Sequence, residues 1–193
     1  MLGKSLNTAI RFTFITTLIL GIGYPLLVTG FAQLALKRQA DGELITRNGV
    51  VVGSALIGQN LSSDKYFHSR PSAAGSGYDA SNSSGSNYAQ SSQKLVTRIQ
   101  GDVAKASTDN PSQPVPIDLV TASGSGLDPD ITPAAALYQI HRVAQARNLS
   151  DEQVTRLVNE HITSRQFGFL GEPRVSVLQL NLALDALSGA TKD

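Results

Sequence analysis

The chain of 193 residues contains no cysteine, which removes disulfides, zinc thiolate sites and thiol nucleophiles together. It has no block of like charges either, and 16 Lys and Arg against 15 Asp and Glu leave a net charge of +1. Nucleic-acid binding needs a basic patch or stripe, so that class is excluded. Histidine is scarce: His68, His141 and His161 are the three, and neither His141 nor His161 belongs to a His-Glu-x-x-His pair. The spacing from Leu137 to His141 and from Leu157 to His161 places both at the edge of a packed helical face. The Gly-x-x-x-x-Gly-Lys-Ser/Thr phosphate loop is missing, and no segment repeats.

Charge is also absent from Phe12 to Leu36, and this gap organises the rest. At about 1.5 Å per helical residue, a run of roughly 25 residues exceeds the ~30 Å hydrocarbon core of a bilayer. Lys4 and Arg11 followed by Gly30-Phe31-Ala32 resemble a cleaved signal peptide, but signal cores run to about 7–15 residues, so an uncleaved anchor is expected. Pro25, Gly21, Gly23 and Gly30 are tolerated in lipid. Thr16, Gly23 and Gly30 recur at heptad spacing, and Thr13, Thr17 and Gly21 at four, which predicts a side where a partner helix approaches closely. The organisation is a short segment over 1–11, a transmembrane helix over 12–36 and one soluble domain over 37–193.

Within that domain, Asn48-Gly49 between Glu43–Arg47 and Val50–Ile57 predicts a β-hairpin. From 59 to 90 a long Ser/Gly/Asn-rich loop carries Tyr66, Phe67, Tyr78 and Tyr88, aromatics that predict packing against something. Leu95, Val96, Ile99 and Val103 predict a helix over 92–107 with one stripe on a core. A strand is expected over 117–122, then a tight loop at Ser123–Gly126. Thr132-Pro133 starts a helix to about Arg147 with Leu137, Ile140 and Ala144 on one face. Ser150 and Gln153 form a capping box for another, through about Thr163, on Val154, Leu157, Val158 and Ile162. The two are expected to form a helical hairpin. A strand at Arg174–Val177 and a closing helix on Leu180, Ala183, Leu184 and Leu187 complete an α+β domain with a small β-sheet.

No catalytic constellation stands out. Ser125, Asp128 and His141 could be drawn as a triad, yet the Gly-x-Ser-x-Gly elbow is not met. The Ser123–Gly126 loop could cradle an anion, but Asp128 and Asp130 put negative charge at its mouth and favour a turn.

Several stretches, taken in order, resemble one family. They are Tyr24-Pro25-Leu26-Leu27, Gly53–Gln59 (GSALIGQ), Tyr66–Ala73 (YFHSRPSA), Leu119–Asp128 (LVTASGSGLD), Gln139–Ala144 (QIHRVA) and Leu180–Asp185 (LNLALD). Together they are similar to the C subunits of the Kdp potassium-transporting ATPase and cover nearly the whole chain. The resemblance implies a non-catalytic, single-pass subunit of a bacterial inner membrane, with its N-terminus cytoplasmic and its domain periplasmic. The implied partners are a channel-like potassium-binding subunit, a P-type ATP-hydrolysing subunit, a small accessory subunit and the lipid bilayer. The Asp-Lys-Thr-Gly run that carries phosphoaspartate in P-type pumps is absent, since Asp64-Lys65 is followed by Tyr66, so hydrolysis belongs to another chain. The family is described as raising the ATP affinity of the hydrolysing subunit. No cofactor is expected to bind tightly, and ATP only jointly with that subunit. Gln139 and Arg142 carry over as the residues that would touch a nucleotide; the alternative is that both cap or brace the helical hairpin. Two departures stand out. Ser84-Gly85-Ser86-Asn87-Tyr88 replaces the family's Ser-Gly-Gly-Ser-Asn-Leu, and His141 stands where many members have proline. The backbone N–H restored by His141 predicts a straighter helix there.

Overall fold

A computed structural model describes residues 2–190, which divide at Val52/Gly53 into two compact units. The first unit is dominated by one continuous helical rod, α1 (Leu2–Thr16), a wider-wound segment (Thr17–Gly23) and α2 (Tyr24–Ala35). Gly3–Ala35 is long and apolar enough to cross a membrane, and none of its apolar window is buried in the protein. The helix thus includes most of the short segment ahead of Phe12. The wider winding follows from Pro25: without an N–H it cannot bond the Gly21 carbonyl, and the turn ahead of it takes up the slack as a π-helix. The Tyr24 N–H accordingly donates five residues back, to the Ile19 carbonyl. Across such a turn heptad spacing no longer keeps Thr16 in line with Gly23. Gly23 and Gly30, separated by ordinary α-helical winding, stay in line.

After a short helix α3 (Lys37–Ala40), strands β1 (Leu44–Arg47) and β2 (Val50–Ser54) pair as the expected hairpin. Asn48 and Gly49 at its tip both have positive φ, 52° and 78°, as a type I′ turn requires.

The second unit holds α4 (Gln93–Ala106), a 3₁₀ turn (Ile117–Leu119), β3 (Asp130–Ile131), α5 (Pro133–Tyr138) and α6 (Ile140–Arg147). It closes with α7 (Asp151–Glu160), β4 (Ile162–Thr163), β5 (Arg174–Ser176) and α8 (Val177–Ala190). The sheet is antiparallel in the order β3-β5-β4, and Ile131 and Ile162 both register on Val175. That apolar row meets Ala135, Ala136, Ile140, Val143, Val154, Val158, Leu180 and Leu184 in a single core. The domain is α+β, as its sequence predicts.

The predicted start signals are present as bonds. The Thr132 hydroxyl accepts from the Ala135 N–H, and Ser150 and Gln153 cap each other in both directions. Five expectations need correction. The strand over 117–122 is the 3₁₀ turn instead, because the Asp118 carboxylate turns inward and accepts from the Thr132 N–H at 2.7 Å. Ile162 belongs to β4 rather than to α7, which ends at Glu160. Leu137 is exposed; Ala136, Ile140, Val143 and Ala144 form the buried face. Helix α4 buries none of its residues, and Val96 and Val103 lie open to solvent.

The fifth correction is the break between α5 and α6 at Gln139, despite the N–H of His141. The Gln139 N–H donates to the Ala136 carbonyl, three residues back, and its own side-chain Nε2 takes the Ala135 carbonyl at 3.1 Å. A side chain has replaced a main-chain donor, and the helix is interrupted there.

Candidate functional site: a loop clasped by buried polar side chains

Residues 59–90 contain no helix or strand, so their backbone groups must find partners one at a time. Between Asp64 and His68 every carbonyl has a side-chain donor. Arg142 donates to the carbonyls of Asp64 (2.7 Å) and Tyr66 (3.0 Å), and Arg147 to that of Lys65 (2.6 Å). Asn181 Nδ2 donates to the Phe67 carbonyl (3.0 Å) and Gln139 Nε2 to the His68 carbonyl (3.2 Å). The same two amides accept in return: Phe67 N–H donates to Asn181 Oδ1, and His68 N–H to Gln139 Oε1, both at 2.8 Å. Two side chains, one at the α5–α6 break and one on α8, thus pair with successive residues as a neighbouring strand would.

Phe67 supplies the apolar half of the clasp, since its ring is 0% exposed and lies in the core cluster. Tyr66 lies under Arg147, whose guanidinium carbon is 4.7 Å from the ring centroid, and its hydroxyl donates to Asp185. Asp185 also pairs with Arg147 at 2.8 Å. Arg142 is completed by Asp109 (2.8 Å) and Gln139 Oε1 (2.7 Å), so all three of its nitrogens are engaged inside the protein.

The second half of the loop closes on the segment 121–128. Arg70 reaches Thr121 and Asp128, while Ser72 donates to the Gly126 carbonyl and Ser83 to that of Ser125. The approach is close: Gly126 has φ of 67°, and a Cβ there would sit 2.6 Å from the Ser84 carbonyl oxygen. Ser123–Gly126 is a turn stitched by its own hydroxyls, which accept from the Gly126 and Leu127 N–H groups. Those two amides are therefore spent within the turn. Ser125, Asp128 and His141 are bonded to different partners: Asp128 to Arg70, His141 to Asp151. His161 caps α7, its Nδ1 2.8 Å from the Leu157 carbonyl.

Beside the clasp lies a polar cleft of about 550 Å³ whose lining includes Ser62, Asp64, His68, Tyr78, Lys105 and Asp109. Its charges are of both signs, and among the described residues no group of three or more His, Asp or Glu could hold a metal ion. His68 Nε2 lies 3.1 Å from the Ser63 carbonyl, which can only accept, so the proton sits on Nε2. Burial chiefly, and then the Arg142 guanidinium, hold this imidazole below its ordinary value of 6.5. The unfolded chain therefore takes up a proton on acidification before the folded one does. Stability from this group is fully present above pH 6.5 and falls away as pH drops below it toward the folded value. Thermal unfolding of the intact chain and of His68→Gln across this range checks it: the difference between the two should shrink on acidification.

The family resemblance singles out Gln139 and Arg142; in the structure they bond each other and brace the loop rather than the helical hairpin. It did not assign roles to Asn181, Asp185 or Arg147. The available signal was polarity at positions 181 and 185, four apart, inside a mostly apolar closing helix. Thr16, Gly23 and Gly30 lie in the other unit, and a Cβ on Gly30 would meet nothing within 4 Å.

A long apolar helix followed by one small α+β domain, its buried polar groups holding a loop in place, is the architecture of a single-helix membrane subunit. Residues 6–186 match the family described as the c chain of K+-transporting ATPase, KdpC. The potassium-transporting ATPase KdpC subunit of Koribacter versatilis is 52% identical over 182 residues, covering 94% of both chains. That of Gemmatimonas aurantiaca is 55% identical over 190 residues, covering 97% of this chain and 96% of its own, and that of Acidobacterium capsulatum is 55% identical over 182 residues. The chain belongs to the KdpC family and is thereby a subunit of a K+-transporting ATPase, the Kdp complex.

Proposed function

We propose that the chain is a non-catalytic assembly subunit that holds the potassium-binding and ATP-hydrolysing subunits of the Kdp complex together, with the small accessory subunit beside them. Its rod crosses the bacterial inner membrane with the N-terminus cytoplasmic and the domain on the outer face. The observation that carries this reading is the spending of Gln139 and Arg142. Gln139 is 1% exposed, and both of its amide atoms serve the backbone of the loop and helix α5. A nucleotide would have to break those bonds before gaining its own, and an outer-face domain never meets cytosolic ATP. Any rise in ATP affinity in the complex then travels through subunit contacts, not through these two side chains.

The test exploits the missing cysteines. Gln100→Cys on the open side of α4 gives one thiol, and intact cells expressing the whole complex are treated with a membrane-impermeant maleimide before gentle extraction. The expected result is labelling before lysis and co-extraction with two larger polytopic chains, with no ATPase activity when the subunit is purified alone. Protection until lysis would overturn the outer placement, and extraction of the labelled chain alone would overturn the assembly role.

A further inference from the structure

The segment between β4 and β5 ends in a tip that the fold does not use. Phe167, Phe169 and Leu170 are 80%, 71% and 47% exposed, the densest group of open apolar side chains in the second unit. The turn holding them is built rather than loose. Gln166 and Leu170 exchange both main-chain bonds at 2.9 Å, and the Gly168 and Phe169 N–H groups donate to Arg165 and Gln166. Phe167 is held at φ of 54°, a region a bulky side chain seldom occupies. At its base Arg165 pairs with Glu172, and Arg174 with Asp130. From Gln166 to Gly171 no residue is charged.

We propose that this tip inserts into the surface of a lipid bilayer. Three features select lipid over a protein partner. Four of the tip's amide donors, those of Gln166, Gly168, Phe169 and Leu170, are satisfied within the turn, which lowers the cost of entering a water-poor layer. The tip is a tight turn with exposed aromatic and aliphatic side chains and charges only at its base, the order of groups that a headgroup layer over acyl chains accepts. From Phe167 to Leu170 no side chain carries a hydrogen-bonding group. The unit is also carried on the same chain as a helix of bilayer-crossing length, so meeting a lipid surface costs it no diffusional freedom. This last point rests on the reading of that helix as a membrane anchor.

The chain has no tryptophan, so single substitutions give unambiguous probes. The full-length chain is reconstituted alone into phosphatidylethanolamine/phosphatidylglycerol vesicles with or without phosphatidylcholine brominated on its acyl chains. Phe169→Trp reports the tip, Leu27→Trp the anchor and Ile117→Trp an exposed apolar site elsewhere in the domain. The expected result is loss of emission on bromination at Trp substitutions of Phe169 and Leu27, and none at that of Ile117. Quenching at 27 without quenching at 169 overturns the insertion while leaving the anchor intact, and assigns the phenylalanines to a protein partner. No quenching at either removes the anchor reading and the inference with it. Quenching at all three overturns a tip-specific contact in favour of the domain lying flat on lipid.

Discussion

Arg142→Ala is expected to lower the unfolding free energy of the domain by about 3–5 kcal/mol, the range for breaking a buried charge pair by removing one partner. The guanidinium is nearly buried and serves four acceptors at once: the Asp109 carboxylate, the carbonyls of Asp64 and Tyr66, and Gln139 Oε1. Alanine leaves Asp109 without its cation and two loop carbonyls without their donor. Arg142→Lys should recover little, because one ammonium cannot face acceptors spread around a planar fork. Near-ultraviolet circular dichroism of the full chain in detergent, followed through urea, measures the difference. The assay contains no nucleotide. A residue kept for ligand binding would leave this stability unchanged, so a midpoint equal to that of the unsubstituted chain would count against the clasp.

What could be read in advance follows from distance along the chain. The hairpin needs only Asn48-Gly49, the start of α5 only Thr132-Pro133, and the start of α7 only Ser150 and Gln153; each is settled within four residues. Two of the errors involve partners far away. Apolar alternation suggested a strand at 117–122, but Asp118 is drawn inward by the backbone of Thr132, fourteen positions on. Period alone carried α7 through Ile162, which β5 captures instead through Val175. The stripe on α4 predicted a covered face, and the unit covers it only in part, leaving Val96 and Val103 exposed and Leu95 and Ile99 half-buried. In the candidate site the contrast is sharper. Gln139 and Arg142 enter only through the family resemblance, and their loop partners lie 71 and 78 positions earlier. Asn181 reaches Phe67 across 114 positions. Periodicity describes which face of a helix is buried, and carries nothing about which loop that face will hold. The break at Gln139 is a local exception: its side-chain amide takes the Ala135 carbonyl four residues back, and its N–H shifts to the Ala136 carbonyl.

Phe67→Ala is expected to have an effect of similar size, about 3–5 kcal/mol, the usual range for emptying an aromatic site in a packed core. The ring is fully buried and shares the cluster with residues of α5 to α8. Its backbone is the part that Asn181 grips, so the ring and the amide bonds position each other. Without the ring, the loop must be held by polar bonds alone, and bonds that water can replace contribute only about 1 kcal/mol each. Phe67→Leu, which keeps most of the volume, should cost less than about 1.5 kcal/mol. Limited proteolysis separates global from local loss: cleavage within 59–90 should accelerate strongly in the alanine variant while α5 to α8 remain intact longer. Were the loop to stay as resistant as in the unsubstituted chain, the side-chain amides of Gln139 and Asn181 and the two arginines would be sufficient by themselves. The long loop would then be a polar assembly laid on a core rather than part of it.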